Sequence, residues 1–376
     1  MLDRLKIETP IYGIGATIAV ILGFLLSGIA ERIEHWSTDL LISTLSDRRP
    51  SQYPDIALVV ISSRTLEEFP YSLPPDRGLI AKLIERLDAS DVKLIGLDIL
   101  FTRRTELNKD AHLVETIRNA KSQVVLAALD TRTELVEPSR KFQDDFLRQS
   151  GRLIGHIYFD LNRSPLIPND QTVRSIGEPS PDNPSQKSFA EVLAATAGHQ
   201  VLPPSRYISW LLPPRNGTET FFTLSAEHVL GGTGAVELPL KELLRGRIVL
   251  VGTAFSSLDQ HFTPLSVMSG ERYNGLFIHA QILAQLLDRR FIHSLPWSIQ
   301  ILIWTCAGCC GIWFSRNDVF GHYQLWIRAA GVASFIVISA ATFVACRVMF
   351  PITLTLMFLL AGFAFGRHSR RYTFYI

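Results

Sequence analysis

Four strand-like runs in this sequence end on or just before an aspartate: Asp98, Asp130, Asp160 and, after a polar loop, Asp259. Ligands of open parallel sheets bind beyond the carboxyl ends of the strands, so these carboxylates, with Arg77 and His279, form a candidate crevice for a polar ligand or a cation. Aspartate is also the ordinary residue of turns and helix caps. A structural role for each therefore stands beside the ligand role, and His279, at the start of a helix, serves equally well as a hydrogen-bonded core residue. Asp98 and Asp259 could work as an acid–base pair, but their spacing does not favour that over capping.

Other chemistry is largely excluded. The chain has no Gly-rich phosphate loop followed by Lys-Ser or Lys-Thr, no His-Glu-x-x-His, no nucleophile elbow and no kinase or cyclase signature. Gly231-Gly232-Thr233-Gly234 lacks both the preceding strand and the lysine of a phosphate loop and reads as a flexible turn. The cysteines, Cys306, Cys309, Cys310 and Cys346, all lie in apolar runs without another soft ligand nearby, so neither a disulfide framework nor a metal site is expected. Asn216-Gly-Thr218 is formally a glycosylation triplet. A net charge of +2 with interleaved signs gives no electrostatic reason to expect nucleic acid. No catalytic activity, cofactor or metal is expected.

The elements that must position these residues are legible as alternating strands and helices. Ile56–Ile61, Val92–Phe101, Val124–Asp130, Arg152–Asp160, Tyr207–Leu212 and Ile248–Val251 read as strands, several of them continuous apolar runs of the kind buried on both faces. Between them, Leu79–Leu87, Asp110–Ala120, Phe189–Ala197 and Ile278–Leu287 carry apolar residues at helical spacing. Strand, helix, strand at this spacing predicts an α/β domain with a mostly parallel sheet and flanking helices. The segment Asn162–Ser188 is rich in Pro, Asn, Ser and Asp and reads as a long surface loop.

This domain, residues 31–296, is bracketed by membrane-grade apolar runs. Mean hydropathy is +0.19, with 47% hydrophobic residues, and four transmembrane helices are expected at 11–30, 299–314, 325–346 and 349–366. Residues 1–10 are a short mixed-charge terminus, and Arg367, His368, Arg370 and Arg371 lie in a basic tail, 367–376. Basic flanks belong in the cytoplasm, which places both termini inside and the long domain outside, in the inner (plasma) membrane. Glu31–Ser46 reads as an amphipathic helix leaving the first span.

Several spaced motifs carry a resemblance. Pro75-Asp-Arg77, Leu94-Ile-Gly-Leu-Asp98-Ile-Leu-Phe101, Val251-Gly-Thr253 followed by Asp259, and Gly275-Leu-Phe-Ile-His279-Ala280 occur in that order. Together with the arrangement of spans they resemble the type-two CHASE domain, a cyclase/histidine-kinase-associated extracellular sensory domain of bacterial receptors, over about Ile33 to Pro296. Asp160-Leu-Asn162-Arg163 departs from that family's Asp-x-Asp-Gly pattern. The resemblance implies a sensor for an unidentified small molecule or partner. Family members usually continue into an output domain, whereas this sequence ends at Ile376, so the expected output is a separate effector reached through the membrane helices. Small residues such as Gly308, Gly311, Gly331 and Gly362 permit helix packing within the chain or in a homo- or hetero-oligomer. A scaffold with a degenerate sensory fold is the alternative; an extracytoplasmic enzyme is a weaker one.

Overall fold

A computed structural model describes residues 28–67, 69, 73–161, 171–199, 205–231, 238–254, 259–317 and 323–373. The elements run α1 (Ile29–Leu45), β1 (Tyr53–Ile61), α2 (Ser63–Leu66), α3 (Arg77–Ala89), β2 (Leu94–Asp98), α4 (Leu107–Asn119), β3 (Gln123–Ala128), α5 (Glu137–Ser150), β4 (Leu153–His156), β5 (Phe159–Asp160), β6 (Ser175–Ile176) and α6 (Phe189–Thr196). They continue as β7 (Phe221–Ser225), α7 (Ala226–Leu230), α8 (Leu240–Leu244), β8 (Ile248–Thr253), β9 (Gln260–His261), α9 (Ser266–Ser269), β10 (Tyr273–Asn274), α10 (Gly275–Asp288), β11 (His293–Ser294), α11 (Trp297–Arg316), α12 (Gln324–Cys346), β12 (Val348–Met349) and α13 (Ile352–Thr373).

The centre is a six-stranded sheet in the order β4-β3-β2-β8-β1-β7, with every pair parallel. Alternation along each strand divides the apolar side chains between two cores. Ile56, Leu58, Ile248 and Leu250 face one core with α6 and α10; Ala57, Val59, Val249 and Val251 face the other with α3, α4, α5, α7 and α8. Continuous β-branched runs are what a sheet covered on both faces requires. Among the covering helices, α3 buries Leu79, Ile80, Leu83, Ile84 and Leu87 on one stripe, and the Asp76 carboxylate starts it by accepting from Gly78 N at 2.8 Å and Leu79 N at 3.1 Å.

Two expected strands differ. The run Arg152–Asp160 breaks after His156, and Phe159–Asp160 forms a separate antiparallel pair with β6. Tyr207–Leu212 is extended but outside the main sheet; it forms isolated backbone bridges to Ser175 and Arg48, and α10 supplies further partners. Gln281 Oε1 accepts from Leu211 N at 2.8 Å while its Nε2 donates to Leu211 O at 3.0 Å. Gln285 likewise accepts from Ser209 N at 2.8 Å and donates to Tyr207 O at 3.0 Å. A primary amide has the donor and acceptor of a peptide group, so two glutamines one turn apart stand in for a neighbouring strand.

Of the four expected spans, α11 and Leu325–Cys346 are long and apolar enough to cross a membrane, with mean hydropathy 1.4 and 2.1; Ile352–Arg367 is a shorter apolar stretch. The first expected span, 11–30, falls almost entirely outside the described residues. Helices α11 and α13 pack backbone to backbone: a Cβ on Gly311 would lie 2.2 Å from Leu359 O, and one on Gly362 would lie 2.1 Å from Gly308 O. These glycines serve a contact within the chain, whereas Gly331 of α12 faces open space.

Candidate functional site

The connections around β8 set where Asp98 and Asp259 lie on the sheet. The chain leaving β2 crosses to α4 on one face of the sheet, and the chain leaving β8 crosses to α10 on the other. Where neighbouring connections diverge in this way, the carboxyl edge of a parallel sheet opens into a cleft. Asp98, opposite Gly252 in register, and Asp259 flank this point.

Period-2 alternation sets Asp98 on the α10 face, with Leu94 and Gly96. Gly252 leaves it space: a Cβ there would be 3.4 Å from Asp98 Cβ and 3.0 Å from Leu276. Burial, and secondarily the like charge of Asp259, pushes the Asp98 carboxyl up to about 8. At neutral pH it is therefore largely protonated, able to donate as well as accept.

Asp259 is fixed by the start of α10. Its Oδ2 accepts from Gly275 N at 3.1 Å, and Asn274 Oδ1 accepts from Phe277 N at 2.8 Å, so two side chains cap this helix. A Cβ on residue 275 would come within 2.6 Å of Asp259 Oδ1, which explains a glycine at that position. Asp259 caps the helix with its side chain still 39% exposed.

Beside this pair lies a histidine–phenylalanine cluster. His261 Nε2 is 3.3 Å from Asp259 Oδ1, and its ring meets Phe159 edge-on at 5.4 Å. Phe159 also packs on His279 at 4.6 Å, and Phe189 meets His279 edge-on at 5.3 Å. Burial first, then His156 and His261, pushes the His279 imidazole down to about 3, so it is neutral. Its Nδ1 and both nitrogens of the fully buried His156 have no hydrogen-bond partner among the described residues. Burial also lowers His156, partly offset by Asp130.

The remaining expected site residues divide differently. Asp130 is turned into its own loop: burial would raise its carboxyl, but hydrogen bonds from Arg132 Nε at 2.8 Å and Arg132 N at 3.0 Å overcome this and hold it low. It touches the cluster only through the field it exerts on His156. Asp160 follows β5 into the small antiparallel pair and acts on Tyr207 instead. Arg77 lies in the opposite core, fully buried, with Nε 3.4 Å from Asp110 Oδ1, NH2 donating to Arg103 O at 3.1 Å, and its guanidinium 4.7 Å over the Phe101 ring. Its contacts brace the β2–α4 loop. The crevice therefore brings together Asp98, Asp259 and, through His261 and Phe159, His279. His156 and His261 escaped sequence reasoning, although a histidine inside an apolar strand and one two residues from Asp259 were visible. Among the described residues no group of three His, Cys, Asp or Glu is disposed to hold a metal ion.

A family model for the CHASE2 domain matches residues 16–313. The chain belongs to the CHASE2 family. CHASE2 domains are extracellular sensory domains, in agreement with a sensory role for the sheet domain. No curated protein and no solved structure matches the chain.

At the far end of α10 the sheet-bearing part of the chain meets the apolar helices through charges. Arg49 pairs with Asp288 at 3.0 Å, Tyr53 Oη donates to Asp288 at 2.9 Å, and Arg290 binds Asp288 at 3.1 Å and Ser209 O at 2.9 Å. Asp47, just beyond α1, binds Arg347 at the end of α12 and lies 3.9 Å from Arg290. Next to this cluster β11 pairs with β12, and Glu34 of α1 accepts from Leu354 N at 3.0 Å at the start of α13. The end of α10 is thus joined through Asp288, Arg290 and Asp47 to the end of α12, close to the β11–β12 pair.

Proposed function

We propose that this chain is a multi-pass inner-membrane sensor whose CHASE2 domain, residues 31–296, lies outside the cytoplasm and binds a small polar molecule without transforming it. The ligand would sit at Asp98 and Asp259, and its binding would be passed through the spans at 11–30, 299–314, 325–346 and 349–366 to a separate effector. The observation that carries this reading is the continuity of α10: its first turn is capped by Asp259, and its last turn ends in the ion cluster of Asp288, Arg290, Asp47 and Arg347. A rigid helix between a ligand site and a membrane junction is the element a small translation or rotation needs. The outer side of α12, with Trp326, Val337 and Ile338 exposed, is the face offered to a second copy or another membrane protein.

Reporter fusions at Ser180 and Ile376 should report from opposite sides of the membrane; the same side for both overturns the topology. Transmission is tested on the full chain, with Cys306, Cys309 and Cys310 replaced by serine and the exposed Cys346 kept as a probe at the junction. Amino acids, polyamines, Mg²⁺ and Ca²⁺ are screened by thermal shift, since a specific ligand stabilises the state it binds. The expected result is a solute that raises the melting temperature of the parent but not of Asp98→Asn, and that changes the maleimide labelling rate of Cys346. Stabilisation indifferent to both carboxylates, or unchanged Cys346 labelling on saturation, would leave a scaffold.

A further inference from the structure

Away from the crevice, on the other face of the sheet, helices α4 and α5 diverge around a cavity of about 760 Å³. That is the size range of small-molecule pockets. Part of its wall is apolar, with Leu107, Ala111 and Val114 from α4 and Phe142 and Phe146 from α5, and the rest is polar. Leu107, the first residue of α4, is 67% exposed at the cavity edge. The aromatic wall continues inward, with Phe146 stacked on Phe101 at 4.3 Å and Phe142 tilted against Phe146 at 6.1 Å.

The rim is cationic. Arg103 and Arg104 come from the β2–α4 loop and Lys141 from α5. Among the described residues no carboxylate pairs with any of these side chains; Arg104 lies 6.0 Å from the Phe142 ring centroid. The carboxylates in the lining are occupied. Asp110 is held by Arg77 at 3.4 Å and by Thr105 N and Oγ1 at 3.0 and 2.9 Å, and Asp145 by Arg148 at 3.0 Å. With Asp110 and Asp145 neutralised by Arg77 and Arg148, the three rim cations are left uncompensated by the lining.

We infer that this cavity is a second ligand site, for an amphiphilic monoanion: a carboxylate borne on an aromatic body. The ring extends the Phe101–Phe146–Phe142 stack, and the carboxylate takes the guanidinium of Arg103 or Arg104, whose fork matches a carboxylate's two oxygens. The aromatic side chains beside the cationic rim favour an aromatic carboxylate over inorganic phosphate, which has no apolar body to bury. The site is separate from Asp98 and does not depend on the sensory reading of that crevice.

The test is calorimetric titration of the full chain in lipid nanodiscs with 2-naphthoate, its neutral isostere 2-naphthylmethanol, and inorganic phosphate. Naphthoate should bind saturably and about tenfold or more tighter than the alcohol, the preference expected of charge-assisted hydrogen bonds. Phosphate should not compete. In Arg103→Gln/Arg104→Gln, where folding is checked by an unchanged melting temperature, that preference should vanish. Ala111→Trp, which fills the cavity from an exposed position, should abolish binding of both naphthyl compounds. Asp98→Asn should leave naphthoate binding unchanged, which separates failure of the cavity from failure of the crevice. Equal affinity for acid and alcohol, full binding by the double variant, or no saturable binding in the millimolar range overturns the inference.

Discussion

Asp98→Asn replaces a half-buried carboxyl with an isosteric group that cannot ionise. In the unfolded chain an aspartate titrates near 3.8, whereas burial and the charge of Asp259 raise Asp98 in the folded protein to about 8. Between those two values the folded state keeps a proton that the unfolded state has released. The unfolded state binds fewer protons there, so the contribution of Asp98 to stability falls as pH rises through the window; it is level below about 4 and again above about 8. At pH 7 roughly three pH units of that window have been crossed, each worth about 1.4 kcal/mol at full effect, and partial solvent contact reduces the total to ~2–4 kcal/mol. Removing the ionisable group should therefore stabilise the protein. For a domain of this size the gain corresponds to a melting temperature higher by ~4–8 °C at pH 7. The assay is thermal unfolding of the full parent chain and of Asp98→Asn in detergent at pH 4, 6 and 8. The two should nearly coincide at pH 4 and diverge progressively up to pH 8. A difference independent of pH, or a variant less stable than the parent at pH 8, would refute the argument. Asp259→Asn is an internal control: it keeps an oxygen for the Gly275 N–H but removes the like charge, so in that background the divergence should begin at the same pH, level off at a lower pH and be smaller.

Two further outcomes follow from the geometry. Gln281→Leu should destabilise the protein by ~2–4 kcal/mol, because Leu211 N–H and C=O lose their partners in a buried place; chemical denaturation measures this, and a loss below about 1 kcal/mol would contradict the account of the Tyr207–Leu212 segment. Arg77→Ala should cost ~3–5 kcal/mol by leaving Asp110 without its buried partner. A variant of normal stability that had lost only its ligand response would return Arg77 to the binding site.

The architecture was readable because strands buried on both faces must be continuously apolar, and Ile56–Ile61, Leu94–Leu97, Val124–Ala128 and Ile248–Val251 are. Helix α5 escaped for the complementary reason: in Glu137–Ser150 only Phe146 and Leu147 among its apolar residues are buried, too narrow a stripe to stand out of a strongly polar segment. The break after His156 was invisible because the one turn residue of Leu153–Phe159, Gly155, lies inside β4 rather than at its end; β4 ends where its partner β3 ends, at Ala128, and that length is a property of the neighbour.

The sequence by itself determined where carboxylates occur along the chain: at the ends of Leu94–Asp98 and Val124–Asp130, and beyond Ile248–Thr253. Local rules of strand length and turn chemistry act within a few residues, and they sufficed for that. Which carboxylates meet was decided by the tertiary structure alone. Strand order placed β8 beside β2, the crossovers carried α4 and α10 to opposite faces, and the parity of each strand turned Asp98 toward α10. Arg77, the first residue of α3, went to the other core because its helix packs there. Convergence depends on contacts between residues more than a hundred positions apart, and no local pattern encodes on which face of a sheet a connection will pass.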